Sequence, residues 1–555
     1  MITLLKKYLA GYRIISVIGL ILKLLEAIIE IFIPLIIALI IDRGILNNDF
    51  SFVMHMGFLM LGLYIAGYIL AVLCQYFAAK SAFGFSFNLR SSLFKHINSL
   101  PIESLIHFKS ASLNVRLNVD TNNTSTAVNR FIRLGTRAPF LLIGALIMAL
   151  RLHPIMALII FVSANIISFI VFFIMKKAAK SLKEINMGLD ETANEANEAI
   201  SGARIIRSLN RQDDINKKFE SGRLKLKRNS IKFLNISLLA SPLSYLVVNL
   251  VIVAILYFGG IFVYDGTLSQ GEIVALINYM LQILNALIII AMLAVIFNRA
   301  IVSSKRINEV LNCCTQCTTH NAYLIDSSDY IALKNITMTY PNHKTPALNN
   351  ISFEFPLGKT LGIIGATGSG KTTLIEILMG FYKYEGTINM PFNSLDIGYH
   401  LQKNQVLSGT IKTNVSFGRQ ATDEQIYQAL NMAKCDFVDD LDFAVLPHGA
   451  NLSGGQKQRL TLARVFLGVI LNNVKLLILD DPTSNLDHNT EKLVIDSIKN
   501  IEGITKIIIS SKAKNIMDSH LVLVLDKGAI AGIDTHENLI AACSIYSQIY
   551  KLSGE

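Results

Sequence analysis

Charge is what this chain has least of. Only 16% of its 555 residues are Asp, Glu, Lys or Arg, against 52% hydrophobic, which is too apolar for an ordinary soluble protein. Cysteine is scarce as well: six, mostly scattered, do not make a disulfide framework. No signal peptide is expected, because the first apolar stretch is too long for a signal h-region and lacks a small-residue cleavage site. Acid is also short relative to base, and a net charge of +11 raises nucleic acid as a partner. The placement of the basic residues argues against it. They crowd the segments between and beside long apolar runs, where the positive-inside rule expects them.

The apolar excess ends at about residue 300, so a membrane half precedes a soluble half. A helix crossing the hydrocarbon core needs roughly 20 apolar residues. Six segments qualify: 14–41, 53–79, 134–150, 154–175, 234–264 and 270–298. The short connections near Gly44–Ser51, Arg151–Pro154 and Tyr264–Gln270 carry few basic residues. The connections 80–133 and 176–233 are long, rich in Lys and Arg, and helical in pattern; the ends near Lys6, Lys7, Arg13, Arg299, Lys305 and Arg306 are basic too. Both termini and both long connections therefore belong on the cytoplasmic side of the plasma membrane. The long connections read as membrane helices that run on into the cytoplasm and turn back, able to carry motion; plain hairpins are the alternative.

Polar residues inside a membrane need a reason. In the first span Lys23, Glu26 and Glu30 share one face, as do Asn278, Gln282 and Asn285 in the sixth. Either they wall a polar transport path, or a Lys23–Glu26 pair and interhelical hydrogen bonds fix the packing. The linker 301–330 contains Cys313, Cys314, Cys317 and His320. So short a cluster needs a second ligand pair to close a zinc site, and reduced linker cysteines are the expected state.

The soluble half carries the chemistry. TLGII (360–364) reads as a buried strand and KTTLIEILMG (371–380) as the helix after it, so the turn GATGSGKT from Gly365 to Thr372 satisfies GxxxxGK[ST] in its proper setting. Its backbone N–H groups, from Gly365 through Ala366, Thr367, Gly368, Ser369 and Gly370, curl around phosphate oxygens beside a helix N-terminus. Lys371 reaches the β- and γ-phosphates of ATP and Thr372 ligates Mg²⁺. A second apolar strand, LLILDD (476–481), ends in two carboxylates. Asp480 stands where a Mg²⁺ ligand belongs, and Asp481 where a base orients the attacking water. Tyr340 can stack on adenine or be an ordinary tyrosine. Gln402, in YHLQKNQ, follows a strand and can contact Mg²⁺ or the water.

LSGGQ at 452–456 offers a second anion cradle: the Ser453 hydroxyl and the bare amides of Gly454 and Gly455, with Gln456, at a helix start. Two cradles almost ninety residues apart cannot easily hold one nucleotide on one compact domain. A head-to-tail pair solves this, so a second ATPase domain is implied.

These residues resemble those of the ATP-binding cassette (ABC) transporters, specifically half-transporters of the exporter type. The match covers nearly the whole chain and includes GATGSGKTT (365–373, ending in Thr373), LSGTIKTNV (407–415), LSGGQKQR, LILDDPTSNLD (478–487) and VLDKGAIAGIDTHENLI (524–540). The resemblance implies a six-helix membrane domain over 1–300, a linker over 301–330, and an α/β P-loop domain of the ABC type over 331–555. It also implies ATP-driven alternating access, and coupling helices near Val119–Asn123 and Ile205–Arg211.

Three departures stand out. The family usually has Glu where this chain has Asp481, and a switch histidine where it has Ser511. The loop before LSGGQ reads AVLPHGAN, without the expected glutamate. Asp is one methylene shorter than Glu, and misplacement on that scale costs about a hundredfold in rate. A hydroxyl has no cationic form to act at the γ-phosphate. The pattern resembles the degenerate-site subunit of a heterodimeric bacterial multidrug exporter, with a second half-transporter supplying the competent ATP site and a small amphipathic molecule as cargo. A weak homodimeric exporter, an importer on the exporter fold and an ATP-gated channel-like protein are the rivals.

Overall fold

A computed structural model describes residues 1–313, 329–341 and 343–552. The chain falls into two compact units, one of Met1–Asn98 with Phe108–Cys313, the other of Ser99–His107 with the chain from Cys314 on. Cys314, Cys317 and His320 lie outside the described residues.

The first unit is helical. Among the described residues six helices are long and apolar enough to cross a membrane: Ala10–Ile45, Phe50–Asn98, Ser110–Leu152, Pro154–Ser201, Gln212–Tyr264 and Gln270–Leu311. Each contains one of the six apolar segments and runs beyond the roughly 30 Å that a bilayer core requires. Small side chains let these helices approach closely without a hydrophobic drive between them: Ala27, Ala138, Ala145, Ala149 and Ala275 are fully or almost fully buried. Tyr279 is buried among them and donates to Ile31 O at 3.0 Å. At the outer end of the sixth helix Ser269 and Glu272 form a capping box, and Asp42 accepts from Ser269 Oγ at 2.5 Å and from Gly271 N at 2.7 Å. In the polar extensions, buried Asp120 takes Ser303 Oγ at 2.7 Å and Arg306 Nη2 at 2.8 Å, which joins the third and sixth helices.

The long connections are helical, as their pattern suggested, but the first one turns earlier than the Val119–Asn123 position. Those residues lie inside a continuous helical run, and the break is at Ser99–Pro101, followed by the short helix Ile102–Phe108. Proline explains the place: it disfavours helix at the residue before it and removes a donor from the ladder. The second turn lies at the short helix Ala203–Ser208, bounded by Gly202 and Arg211, so it overlaps Ile205–Arg211.

Among the described residues the second unit holds eleven strands: β1 (Tyr330–Met338), β2 (Leu348–Pro356), β3 (Thr360–Gly365), β4 (Glu385–Asn389), β5 (Ile397–His400), β6 (Gly409–Thr410), β7 (Ala444–Val445), β8 (Leu476–Asp480), β9 (Thr505–Ile509), β10 (Leu521–Asp526) and β11 (Ala529–Asp534). Six form one sheet in the order β11-β10-β3-β9-β8-β5, parallel throughout except for β11. The runs LLILD and TKIII are buried at every position, as expected of strands covered on both faces. The antiparallel sheet β2-β1-β4 packs its apolar face into a second core with the helix Lys371–Leu378. Ile102, of the early turn, packs against that core. Because β9 lies between β3 and β8, Ile363, Ile509 and Asp480 share one row. The phosphate-loop strand and the acidic strand thus end level with each other, one strand apart, at the carboxyl edge where parallel sheets bind ligands.

Candidate active site

The turn after β3 is built by glycine. Gly368 and Gly370 have φ of +82° and +101°, a region that L side chains rarely adopt. A side chain on Gly365 would collide with Leu525 O and with Ser369 Oγ. The loop therefore curls tightly into the helix Lys371–Leu378, with free amides at its N-terminus. Lys371 Nζ lies on the loop's own carbonyls, donating to Gly365 O at 2.7 Å and Ala366 O at 2.9 Å. Burial lowers its pKa, while Asp481 and Asp480 oppose that shift. Ser369 is buried and its Oγ has no hydrogen-bond partner among the described residues.

Across the strand ends, Thr372 Oγ1 donates to Asp480 Oδ2 at 3.3 Å. Burial, then the adjacent Asp481, pushes Asp480 up to about 6. A cation binding there must displace a proton as pH falls toward that value. Asp481 sits in the left-handed region at φ +51°, where Asp is enriched among non-glycine residues. Its N–H donates to Ile509 O at 3.0 Å, and its Oδ1 accepts from Ser511 N at 3.4 Å. The short carboxylate is thus turned to the backbone at position 511, whose own side chain is exposed.

These residues fit a magnesium-bound triphosphate. The glycine turn leaves room for phosphate, the orphan Ser369 hydroxyl awaits an acceptor, Lys371 is held within the loop, and Thr372 with Asp480 forms a hard-oxygen pair of the kind Mg²⁺ prefers. Among the described residues no group of three or more His, Cys, Asp or Glu could hold a metal by itself, so such an ion would depend on phosphate oxygens as well.

The structure brings Lys371, Thr372, Asp480, Asp481 and Ser511 into one site. Tyr340 is beside it but turned inward: its OH lies 3.0 Å from Thr373 Oγ1 and donates to Glu376 Oε2 at 3.1 Å. Its ring meets Tyr382 edge-on at 5.2 Å, and burial raises its pKa to about 12. Gln402 is exposed and makes no hydrogen bond among the described residues. The second cradle stands apart. Ser453 caps the helix Gly454–Ile470, its hydroxyl accepting from Gln456 N at 3.2 Å while Gln456 Oε1 accepts from Ser453 N at 2.9 Å.

Sequence reasoning missed the network that joins these parts. Gln458 donates to Asp481 O at 3.0 Å and accepts from Asn485 N at 2.9 Å. Thr461, one turn on, lies 3.2 Å from His400 Nε2 and 3.0 Å from Asn404 Oδ1. The signature helix is thereby tied to the acidic strand and to the segment carrying Gln402. The one signal was a histidine ending the apolar strand β5. Burial drives the His400 pKa down to about 4, so the folded chain keeps it neutral, whereas the unfolded chain protonates it below about 6.5. Between those values the unfolded state binds more protons, so stability falls as pH falls, by about 1 kcal/mol between pH 8 and 5.5. The unfolding transition of this unit in the full chain should shift down over that interval, and His400→Leu should shrink the shift. An equal shift in both proteins would exclude His400 as the source.

Comparison with known proteins agrees with this geometry. Residues 16–287 match the family model for the ABC transporter transmembrane region and 348–484 that for the ABC transporter. The chain is 30% identical to the uncharacterized ABC transporter ATP-binding protein YfiB of Bacillus subtilis, over 98% of this chain and 97% of that protein. It is 22% identical to the ATP-dependent lipid A-core flippase of Vibrio cholerae, over 98% and 96%. A bacterial Atm1-family ABC exporter with ATP bound has the same fold, at TM-score 0.80 and 18% identity over 99% of both chains.

Proposed function

We propose, from the premise that this chain belongs to the ABC transporter family, that it is the degenerate-site subunit of a heterodimeric exporter for a small amphipathic molecule. The coarser facts come with the family. The chain is a half-subunit with fused membrane and ATP-binding domains, works as a dimer in a membrane, and couples ATP hydrolysis to transport. The ATP-binding domain is cytoplasmic, and the family uses ATP with Mg²⁺.

The observation that carries the proposal is the Asp481 carboxylate, short and turned to the Ser511 amide at 3.4 Å. When bound, Mg²⁺ would supply positive charge against the phosphates. The chain's own residues do the rest. Loop amides from Ala366 to Thr372 hold the phosphates, and Lys371 exchanges two backbone carbonyls for phosphate oxygen. Thr372 and Asp480 would hold the ion. Hydrolysis then needs a base in line with the γ-phosphorus and a donor for the charge that develops. Asp481 is a methylene short of the first task, and Ser511 has no cationic form for the second. ATP at this site therefore serves to bind the two domains together. The cradle of Ser453, Gly454, Gly455 and Gln456 keeps its full set of groups and completes the partner's site.

The test is to purify this chain alone and with candidate second half-transporters. ATP turnover alone should be at least about tenfold below that of the correct pair, the scale of a lost catalytic group. Brisk turnover by this chain alone, abolished by Asp481→Asn, points to a homodimer and rejects the pairing.

A further inference from the structure

Loop amides and Lys371 can hold the phosphates of ATP, but they leave its base unplaced. Tyr340 is tied to the same helix. Its hydroxyl donates to Glu376 Oε2 at 3.1 Å. A phenol has one hydrogen to give, so the Thr373 hydroxyl, 3.0 Å away, is the donor in the other contact. Both partners stand on the helix Lys371–Leu378, which starts at the phosphate loop. The half-buried ring meets Tyr382 and His343 with planes 82° and 67° apart, so neither stacks flat on it. The pitch of the ring is therefore fixed relative to the loop.

Glu376 is the partner that calls for a reason. It is half-buried. Burial raises its pKa, the Tyr340 hydroxyl opposes that shift, and no basic side chain among the described residues contributes to it. After burial and Asp481, the charge of Glu376 is a further reason that Asp480 resists ionisation. The carboxylate is thus near enough to the ion and phosphate site to act on it, and by charge alone it disfavours a triphosphate. Its favourable contribution is as an acceptor. Stacking a base on a ring depends on the angle between their planes, and a ring already pinned at its hydroxyl loses little freedom when the base arrives.

We infer that Glu376 is a positioning residue for ATP, holding the Tyr340 hydroxyl so that the ring forms a preset platform for the adenine. This role needs only that the chain binds ATP, whichever site of the pair hydrolyses it. The test is titration calorimetry of the full chain in phosphatidylcholine nanodiscs with Mg²⁺. The ligands are AMP-PNP, which is not turned over, and inorganic tripolyphosphate, which has the phosphates but no base. Their affinity ratio cancels the charge effect that both share. Glu376→Leu and Tyr340→Phe should each lower the ratio of AMP-PNP to tripolyphosphate affinity by about threefold to tenfold, the scale of one lost hydrogen bond. The double variant should lower it no further than the larger single effect, because both remove one contact. Glu376→Gln keeps an acceptor and drops the charge, so the ratio should stay within about twofold of the parent's. Tyr340→Leu removes the platform itself and should lower the ratio most. A Glu376→Leu variant that keeps the parent's ratio, whether both affinities hold or both fall, leaves Glu376 a structural support at most and overturns the inference. So does an equal loss in Glu376→Gln, or a Tyr340→Leu variant with the parent's ratio.

Discussion

Gly454→Asp is expected to lower ATP turnover of the assembled pair by about a hundredfold or more, the scale seen when charge stabilisation at a reacting centre is lost, while Asp481→Asn in the same chain changes it by less than about threefold. The contrast follows from which site each residue serves. Gly454 opens the helix after Ser453, and a Cβ there would meet nothing nearer than Asn485 Cβ at 4.0 Å. An acid in the first helical turn is also favoured by the helix dipole. The variant should therefore fold normally, and its defect lies across the dimer, where a carboxylate would face the partner's γ-phosphate. On the proposed pairing Asp481 serves a site that contributes little turnover, so neutralising it removes little. Steady-state phosphate release from the pair in nanodiscs measures both. Equal losses would mean that both sites carry the cycle, and the asymmetric reading would fall.

What could be read from the sequence was what is local. The six spans are visible because roughly 20 apolar residues in a row have few other homes. The phosphate loop and β8 are visible because glycine spacing and a buried strand ending in acid are set within a few residues. What stayed hidden depends on contacts distant in sequence. Glu30 meets Arg137 across 107 residues, and the sequence reading saw only the Lys23–Glu26 neighbour pair. His400 and Thr461 are 61 residues apart and meet because β5 lies beside β8 under the signature helix. The turn at Pro101 had a local signal, the proline, which the family-based position for a coupling helix outweighed. The inward turn of Tyr340 had none, since nothing near it in sequence announces Glu376 as its acceptor.

The second large effect is a gain. With the partner's catalytic acid neutralised, Asp481→Glu combined with Ser511→His should raise turnover of the pair by about tenfold to a hundredfold, because placing a base within reach of its proton and adding a cationic donor are each worth that order. The backbone is already in position: Asp481 N is bound to Ile509 O at 3.0 Å, and Gln458 holds Asp481 O at 3.0 Å. The added methylene would lift the carboxylate off the Ser511 amide by about 1.5 Å, toward the water, and an exposed position 511 has room for an imidazole. The cost is a Glu in the left-handed region, which Asp occupies more readily; a small drop in thermal stability should accompany the gain. Either substitution alone should recover less than the product of the two, since both act on one step. If the double variant turns over no faster than the parent, while ATP binding is unchanged, then these two side chains are not what slows the site.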